Sequence, residues 1–345
     1  MCGVIRQREM VRDTNNQASG IDTQLVQRIR RNQWTGAIIN LAPSALWLGV
    51  FFIVPLAVMF FFSFGERGAF GEVLLAGENL GIQQYRRFFI SDGATLVTAL
   101  WATAAWLIET VTPGIESLST TRPTPYVRLL FKSIAYGILA TVISFIIGYP
   151  IAYYIGHVAP DKYQNLLVVL VILPFWASFL VRIYAIQLLL STNSVLMRAL
   201  STLPFVEQEV SLMYSQFAVL LGLVYIWIPF MILPVYSSIE EIDFTLQEAA
   251  MDLGADRFQA FYRVIFPQSK PGVMAGSVLV FIPSTGAYVI PELLGGTDSQ
   301  MIGNFIASQF GSAGNWPLGA AGAFVLMGVM LLSIAAYQRG GGELG

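Results

Sequence analysis

Six stretches of this chain carry no Asp, Glu, Lys or Arg for long enough to cross a bilayer, and no other feature limits its fold as strongly. They fall at 37–64, 133–156, 163–181, 210–239, 271–291 and within 299–338. A helical crossing takes about 18 or more apolar residues, and each stretch reaches that length. The third continues past a lone Arg182 as far as Leu190, and the sixth has its apolar half at 318–337. Only 12% of the 345 residues are charged and 55% are hydrophobic, whereas a soluble domain draws roughly 25% of its residues from the charged set. A net charge of −2 without a dominant basic block excludes a disordered or nucleic-acid-binding chain. A single cysteine, Cys2, excludes a disulfide scaffold. The chain reads as a polytopic, all-α membrane protein.

Lys and Arg flanking the spans set the orientation. The tail at 1–36 carries Arg6, Arg8, Arg12, Arg28, Arg30 and Arg31 and is expected in the cytoplasm. It contains no apolar run ahead of a cleavage site, so the first span is expected to act as an uncleaved anchor. Six spans return the tail at 339–345 to the same side. The transmembrane body then occupies 37–338, with 65–129 extracytoplasmic and 240–271 cytoplasmic. Within the outer segment, 93–108 is apolar but short and meets Glu109. An interfacial or extracytoplasmic helix is expected there rather than a seventh span.

Prolines interrupt or border the spans at Pro55, Pro150, Pro174, Pro229, Pro234, Pro283 and Pro291. Each removes a backbone donor, and the freed carbonyl needs another partner within lipid. Single prolines are ordinary packing kinks. The cluster Pro283-Ser284-Thr285-Gly286, followed by Pro291, is read either as another kink or as a broken helix on a solute pathway.

The most informative loop is 242–271. Thr245 with Glu248 fits a capping box opening a short helix, Gly254 suits a left-handed stop, and Asp256 suits the cap of a second helix. Phe258, Phe261, Tyr262 and Ile265 recur along that second helix at helical spacing, and Pro267 is expected to end it. Local structure alone leaves this as a surface helical hairpin. The residues Glu248-Ala249-Ala250, then Gly254, then Val264-Ile265-Phe266-Pro267 resemble the signature loop of ABC-importer permeases. The spacing matches in full, and so does the position before the penultimate span; Val and Phe replace Ile and Leu in the last block. Leu173-Pro174-Phe175-Trp176-Ala177-Ser178-Phe179-Leu180-Val181-Arg182 resembles the third-span segment of the polyamine permeases of that class. Val289-Ile290-Pro291-Glu292-Leu293-Leu294-Gly295-Gly296 and Met301-Ile302-Gly303 resemble later segments of the same group. The likeness extends over 37–338, least securely at 65–129. Ala287 stands where some putrescine permeases carry an acidic residue.

The resemblance implies a type I ABC importer permease fold: six transmembrane helices with a cytoplasmic coupling helix hairpin. It implies that Glu248, Ala249, Ala250, Gly254 and Pro267 belong to a loop that docks on an ABC ATPase subunit pair. It also implies a second, related permease, an external solute-binding protein and transport of putrescine or spermidine by alternating access. Small side chains at 249 and 250 suit close approach, and Glu248 offers a carboxylate to a basic partner. This chain has no Gly-x-x-x-x-Gly-Lys-Ser/Thr loop, so no bound cofactor is expected and ATP is left to the partner subunits. One histidine and one cysteine give no set of ligands for a metal centre.

Arg182 and Glu292 are the charges most clearly embedded in spans, and such charges are costly unless paired or hydrated. They are read either as a pair or as pathway residues, with Glu292 attracting a cation. Trp176, Tyr184, Trp227 and Tyr288 are read as packing or belt aromatics, or as rings holding ammonium groups by cation–π contact; Ser284 and Thr285 complete the candidate pathway. His157 is expected in a solvated cytoplasmic turn. The competing readings are a permease of the same fold for iron, an inorganic anion or an amino-acid-like solute, and a stand-alone secondary carrier.

Overall fold

The computed structural model describes residues 41–69, 71–75, 81–90, 95–111, 123–191, 194 and 212–339. The expected tail at 1–36 with its basic cluster, the expected tail at 339–345 apart from Arg339, and parts of the 65–129 segment lie outside these residues. Contacts divide the chain into two units, Met1–Phe61 and Phe62–Gly345. The first contributes almost all of helix α1 (Leu41–Phe62), apolar throughout with none of its span buried in this chain, and with a π-helical stretch at Gly49–Ile53 just before Pro55.

In the second unit, a two-stranded hairpin pairs β1 (Glu66–Arg67) with antiparallel β2 (Val73–Leu74), Glu66 opposite Leu74. Helices α2 (Gln83–Phe89) and α3 (Leu96–Val111) follow. α3 runs past Glu109, but its apolar stretch is shorter than a crossing, in keeping with the expected non-spanning helix. Phe88 of α2 is fully buried, stacks on Tyr126 at 5.7 Å and joins Ile302 and Leu326 in an apolar cluster. α2 therefore buttresses the ends of two spans.

The spans are α4 (Pro125–Val158), the bent pair α5 (Asp161–Trp176) and α6 (Phe179–Leu190), α7 (Gln216–Glu240), α9 (Arg257–Thr285) and α12 (Trp316–Arg339). With α1 these make six crossings when the bent pair counts as one, as the uncharged runs predict. α8 (Thr245–Asp252) lies between α7 and α9, and α10 (Val289–Leu294) and α11 (Ile302–Phe310) lie between α9 and α12.

α4, α7 and α9 form the core. Small residues let their backbones approach, which is how helices associate where lipid removes the hydrophobic drive. Gly148 meets Met231 and Ile232, and Gly156 meets Ile239, so α4 and α7 run in the same direction. Gly276 meets Met231 and Gly272 meets Pro234, so α9 runs against them. Two parallel spans require an odd number of crossings between them. Among the described residues, the bent pair α5–α6 supplies that return.

Three boundaries differ from expectation. The fifth span is not 271–291: it starts at Arg257, because the coupling hairpin's second helix runs straight into it, and it stops at Thr285. Pro267 does not end a helix. A π turn at Phe261–Ile265, in which Phe266 N–H donates to Phe261 O, widens the helix just ahead of the proline ring. The ring then finds room where a regular α-turn would clash. The break comes at the last residue of the Pro283 cluster, Gly286, and not at the proline. α9 runs through Pro283, and Gly286 to Tyr288 separates it from α10, so Glu292 sits on a short helix of its own.

Candidate functional site

The coupling hairpin is built from local signals. α8 has no side-chain cap from Thr245, so the expected capping box does not form. Thr245 is already the first helical residue, and Asp243 takes the capping role: its Oδ1 accepts the Thr245 N–H at 3.0 Å. The Thr245 hydroxyl first, and then this N–H, hold the Asp243 carboxyl below the usual carboxylate range. The cap is complete at neutral pH and is lost only as pH falls through that lowered value. At the other end, Gly254 N–H donates to Met251 O at 2.9 Å and Ala255 N–H to Ala250 O at 3.1 Å, a Schellman closure with Gly254 at φ +93°. A Cβ at Gly254 would meet nothing within 4 Å, so the glycine is required by its backbone angle and not by crowding. Asp256 Oδ1 accepts the Gln259 N–H at 2.7 Å and starts α9 as expected.

The hairpin presents Glu248, Ala249 and Gly254 to the outside, with Ala250 half-buried and Pro267 exposed on α9. It also exposes large apolar side chains that sequence reasoning assigned to one helix face or passed over: Leu253 is 90% exposed, Phe258 76% and Tyr262 62%. Phe261 and Ile265 turn inward instead. An apolar set ringed by Glu248, Asp252 and Asp256 at the tip of a hairpin is the surface expected of a protein-docking element. The signal was present in the run Leu253 to Tyr262, but periodicity alone cannot say which turn of a helix lies beyond the bundle.

The second group of candidate residues separates. Arg182, Trp227, Ser284 and Thr285 lie within the bundle. Thr285 Oγ1 donates to Phe281 O at 2.8 Å and fills the space left by Gly137 on α4. Ser284 Oγ and Trp227 Nε1 have no hydrogen-bond partner among the described residues. Arg182 lies just past the 91° bend between α5 and α6, and its guanidinium reaches back over the Phe175 ring at 4.7 Å and the Phe179 ring at 6.0 Å. Trp176, Tyr184, Tyr288 and Glu292 face outward from this chain. Arg182 and Glu292 take different partners. Glu292 Oε2 accepts from Asn304 Nδ2 at 2.8 Å, and the same amide donates to Tyr288 O at 3.0 Å. Asn304 Oδ1 accepts the Met301 N–H, so this one side chain ties α10 to the start of α11. Sequence reading did not single out Asn304, because a lone amide in an apolar run carries no periodic signal. Among the described residues, no group of His, Cys, Asp and Glu could hold a metal ion.

Comparison with known proteins agrees with this geometry. Residues 129–339 match the family described as "Binding-protein-dependent transport system inner membrane component". The chain is 41% identical over 214 residues to the spermidine/putrescine transport system permease protein PotB of Haemophilus influenzae, covering 62% of this chain and 74% of the relative. The PotB of Escherichia coli is also 41% identical over 214 residues, 78% of its length. The inner membrane ABC transporter permease protein YdcU of Escherichia coli is 34% identical over 218 residues, covering 60% of this chain and 68% of the relative. In structure, the chain resembles one from a bacterial ABC transporter involved in the import of the acidic polysaccharide alginate. The TM-score is 0.63 at 17% identity, over 92% of this chain and 99% of that one, so the likeness concerns the fold. The crossings, the core of three packed spans and the protruding hairpin are those of an ABC importer permease, and this multi-pass chain belongs to the family of inner membrane components of binding-protein-dependent transport systems.

Proposed function

We propose that this chain is a permease subunit of an ATP-driven importer and moves putrescine or spermidine across the cytoplasmic membrane by alternating access. The observation that carries the importer reading is the hairpin itself: Glu248-Ala249-Ala250 and Gly254 are held out from the bundle beside exposed Leu253, Phe258 and Tyr262. The hairpin docks on one of a pair of ABC ATPase subunits, which bind and hydrolyse the ATP. This chain binds no cofactor of its own. α8 is the part an ATPase would push. Because α9 continues from the hairpin without a break, a displacement there acts directly on a core helix.

The polyamine assignment is supported by the 41% identity to the spermidine/putrescine permeases. Its chemistry suits an exposed carboxylate. Glu292, oriented by Asn304, is the residue we assign to attracting a cationic solute, with Tyr288 beside it. A second, related permease completes the pathway, and a solute-binding protein delivers the solute from outside. The tails at both ends face the cytoplasm.

The test is co-purification and uptake. Affinity-purified permease should bring down an ATPase subunit, and substitution of Glu248 or Gly254 should reduce its recovery. Vesicles holding the complex should take up labelled putrescine or spermidine only when ATP is supplied. Recovery of no ATPase would sink the importer reading. ATP-driven uptake of another solute, with polyamines failing to compete, would replace the substrate.

A further inference from the structure

His157 lies not in the loop after α4 but on its last, π-helical turn, with the side chain still exposed. Its ring lies 3.7 Å from the Phe244 ring at an interplanar angle of 14°, a face-to-face stack with the residue that opens α8. His157 closes a series on α4. Tyr149, Tyr153 and His157 recur every four residues and so share one face of the helix. Together they engage both ends of the hairpin. The Phe261 ring sits between the two tyrosines, edge-on to Tyr153 at 5.4 Å and 88° and to Tyr149 at 5.8 Å and 86°. Below them the Tyr149 hydroxyl bonds Ser269 Oγ at 2.9 Å in a buried contact, and Ser269 donates in turn to Phe266 O.

This one face of α4 therefore holds the hairpin at its entrance (Phe244) and at its exit into the span (Phe261). We infer that Tyr153 and His157 are positioning residues for energy coupling, and that this aromatic face makes the hairpin and the cytoplasmic end of α4 move as one body. Without the grip, a push on α8 is absorbed by bending at Glu241 to Asp243 and at Gly254, where only turns join the helices. With it, the push reaches α4 as well as α9, and so acts on two of the three core helices. The inference rests on the importer reading above and adds to it the residues that receive the stroke.

The test uses the complete complex in vesicles, with its ATPase subunits and binding protein, and labelled putrescine. ATPase recovery and putrescine uptake by the unmodified complex report on the importer reading, and failure there counts against that reading alone. The double variant Tyr153→Leu/His157→Leu should recover the ATPase and hydrolyse ATP as the parent does, while putrescine moved per ATP falls by about fivefold. Tyr153→Phe/His157→Phe keeps the rings and should keep the ratio near the parent value. An unchanged ratio in the leucine variant, or an equal loss in the phenylalanine variant, would overturn the inference. If the leucine variant does not assemble, His157→Cys/Phe244→Cys in a chain lacking Cys2 decides the matter. A short reducible thiol cross-linker should raise its putrescine-to-ATP ratio and reduction should lower it again; equal ratios in both states would refute the grip.

Discussion

Gly254 has open space around it and a φ of +93°, so any L side chain there is opposed by its own backbone. Gly254→Ala should cost about 1–2 kcal/mol in that turn and lower ATPase recovery in a pull-down. Gly254→Asn, which tolerates the left-handed region better, should retain more of it. Asn304 offers a second test at this scale. Asn304→Ala removes the amide donor of Glu292 and one of two donors to the Tyr288 carbonyl, which keeps the Glu292 N–H; it should cost about 0.5–1.5 kcal/mol, read as a lower melting temperature of the purified complex. Glu292→Gln keeps an oxygen for Asn304 but removes the charge. It should leave the melting temperature near that of the parent and weaken uptake of a cationic solute; unchanged uptake would remove Glu292 from the pathway.

At the level of elements, the packing of α4 against α9 is set by one small residue. A Cβ at Gly137 would collide with Thr285 Oγ1 and press on the Phe281 ring. Gly137→Ala should destabilise by about 1–3 kcal/mol, and Gly137→Ala/Thr285→Ala should cost less than the sum of its parts, the mark of residues in direct contact. Such contacts explain what the sequence reveals and what it hides. The six crossings were legible because lipid demands long uncharged runs, and the hairpin because Gly254 and Asp256 each have one local use. Element ends were less legible. Thr245 looked like a cap, but Asp243 stands two residues ahead of it and captures the amide first. Pro267 looked like a terminator, but the π turn at Phe261–Ile265 carries the helix past it. Inward and outward sides of the candidate pathway were not legible either. Ser284 and Thr285 are polar, yet they are buried against neighbouring helices, a consequence of which face of α9 meets α4.

For the whole molecule, the parallel course of α4 and α7 and the reversed course of α9 place the hairpin at the end of the bundle where α4 finishes. The turn between α11 and α12 should lie on the opposite side. In cells carrying single-cysteine chains without Cys2, a membrane-impermeant maleimide should label Ala313→Cys in intact cells. It should label Ala255→Cys only after permeabilisation. With the 1–36 tail in the cytoplasm, the reverse pattern would mean an even number of crossings before α7.

The bend between α5 and α6 has a bearing on the surrounding lipid. α5 with its terminal 3₁₀ turn, Asp161–Trp176, is about 25 Å long, and the hydrocarbon of a typical bilayer is about 30 Å thick. Past the bend, α6 leaves at 91° to α5, so with α5 standing along the bilayer normal it adds little height. This crossing is therefore shorter than the membrane it must traverse, while α4, α7 and α9 are long enough. Lipid beside it must thin, or headgroups must sink toward Trp176 and Arg182. Hydrophobic mismatch of this kind acts on a protein as a lateral force, so acyl-chain length becomes a variable of transport. Reconstituted in a series of phosphatidylcholines of increasing chain length, the complex should transport best in the thinner bilayers and lose uptake as the chains lengthen.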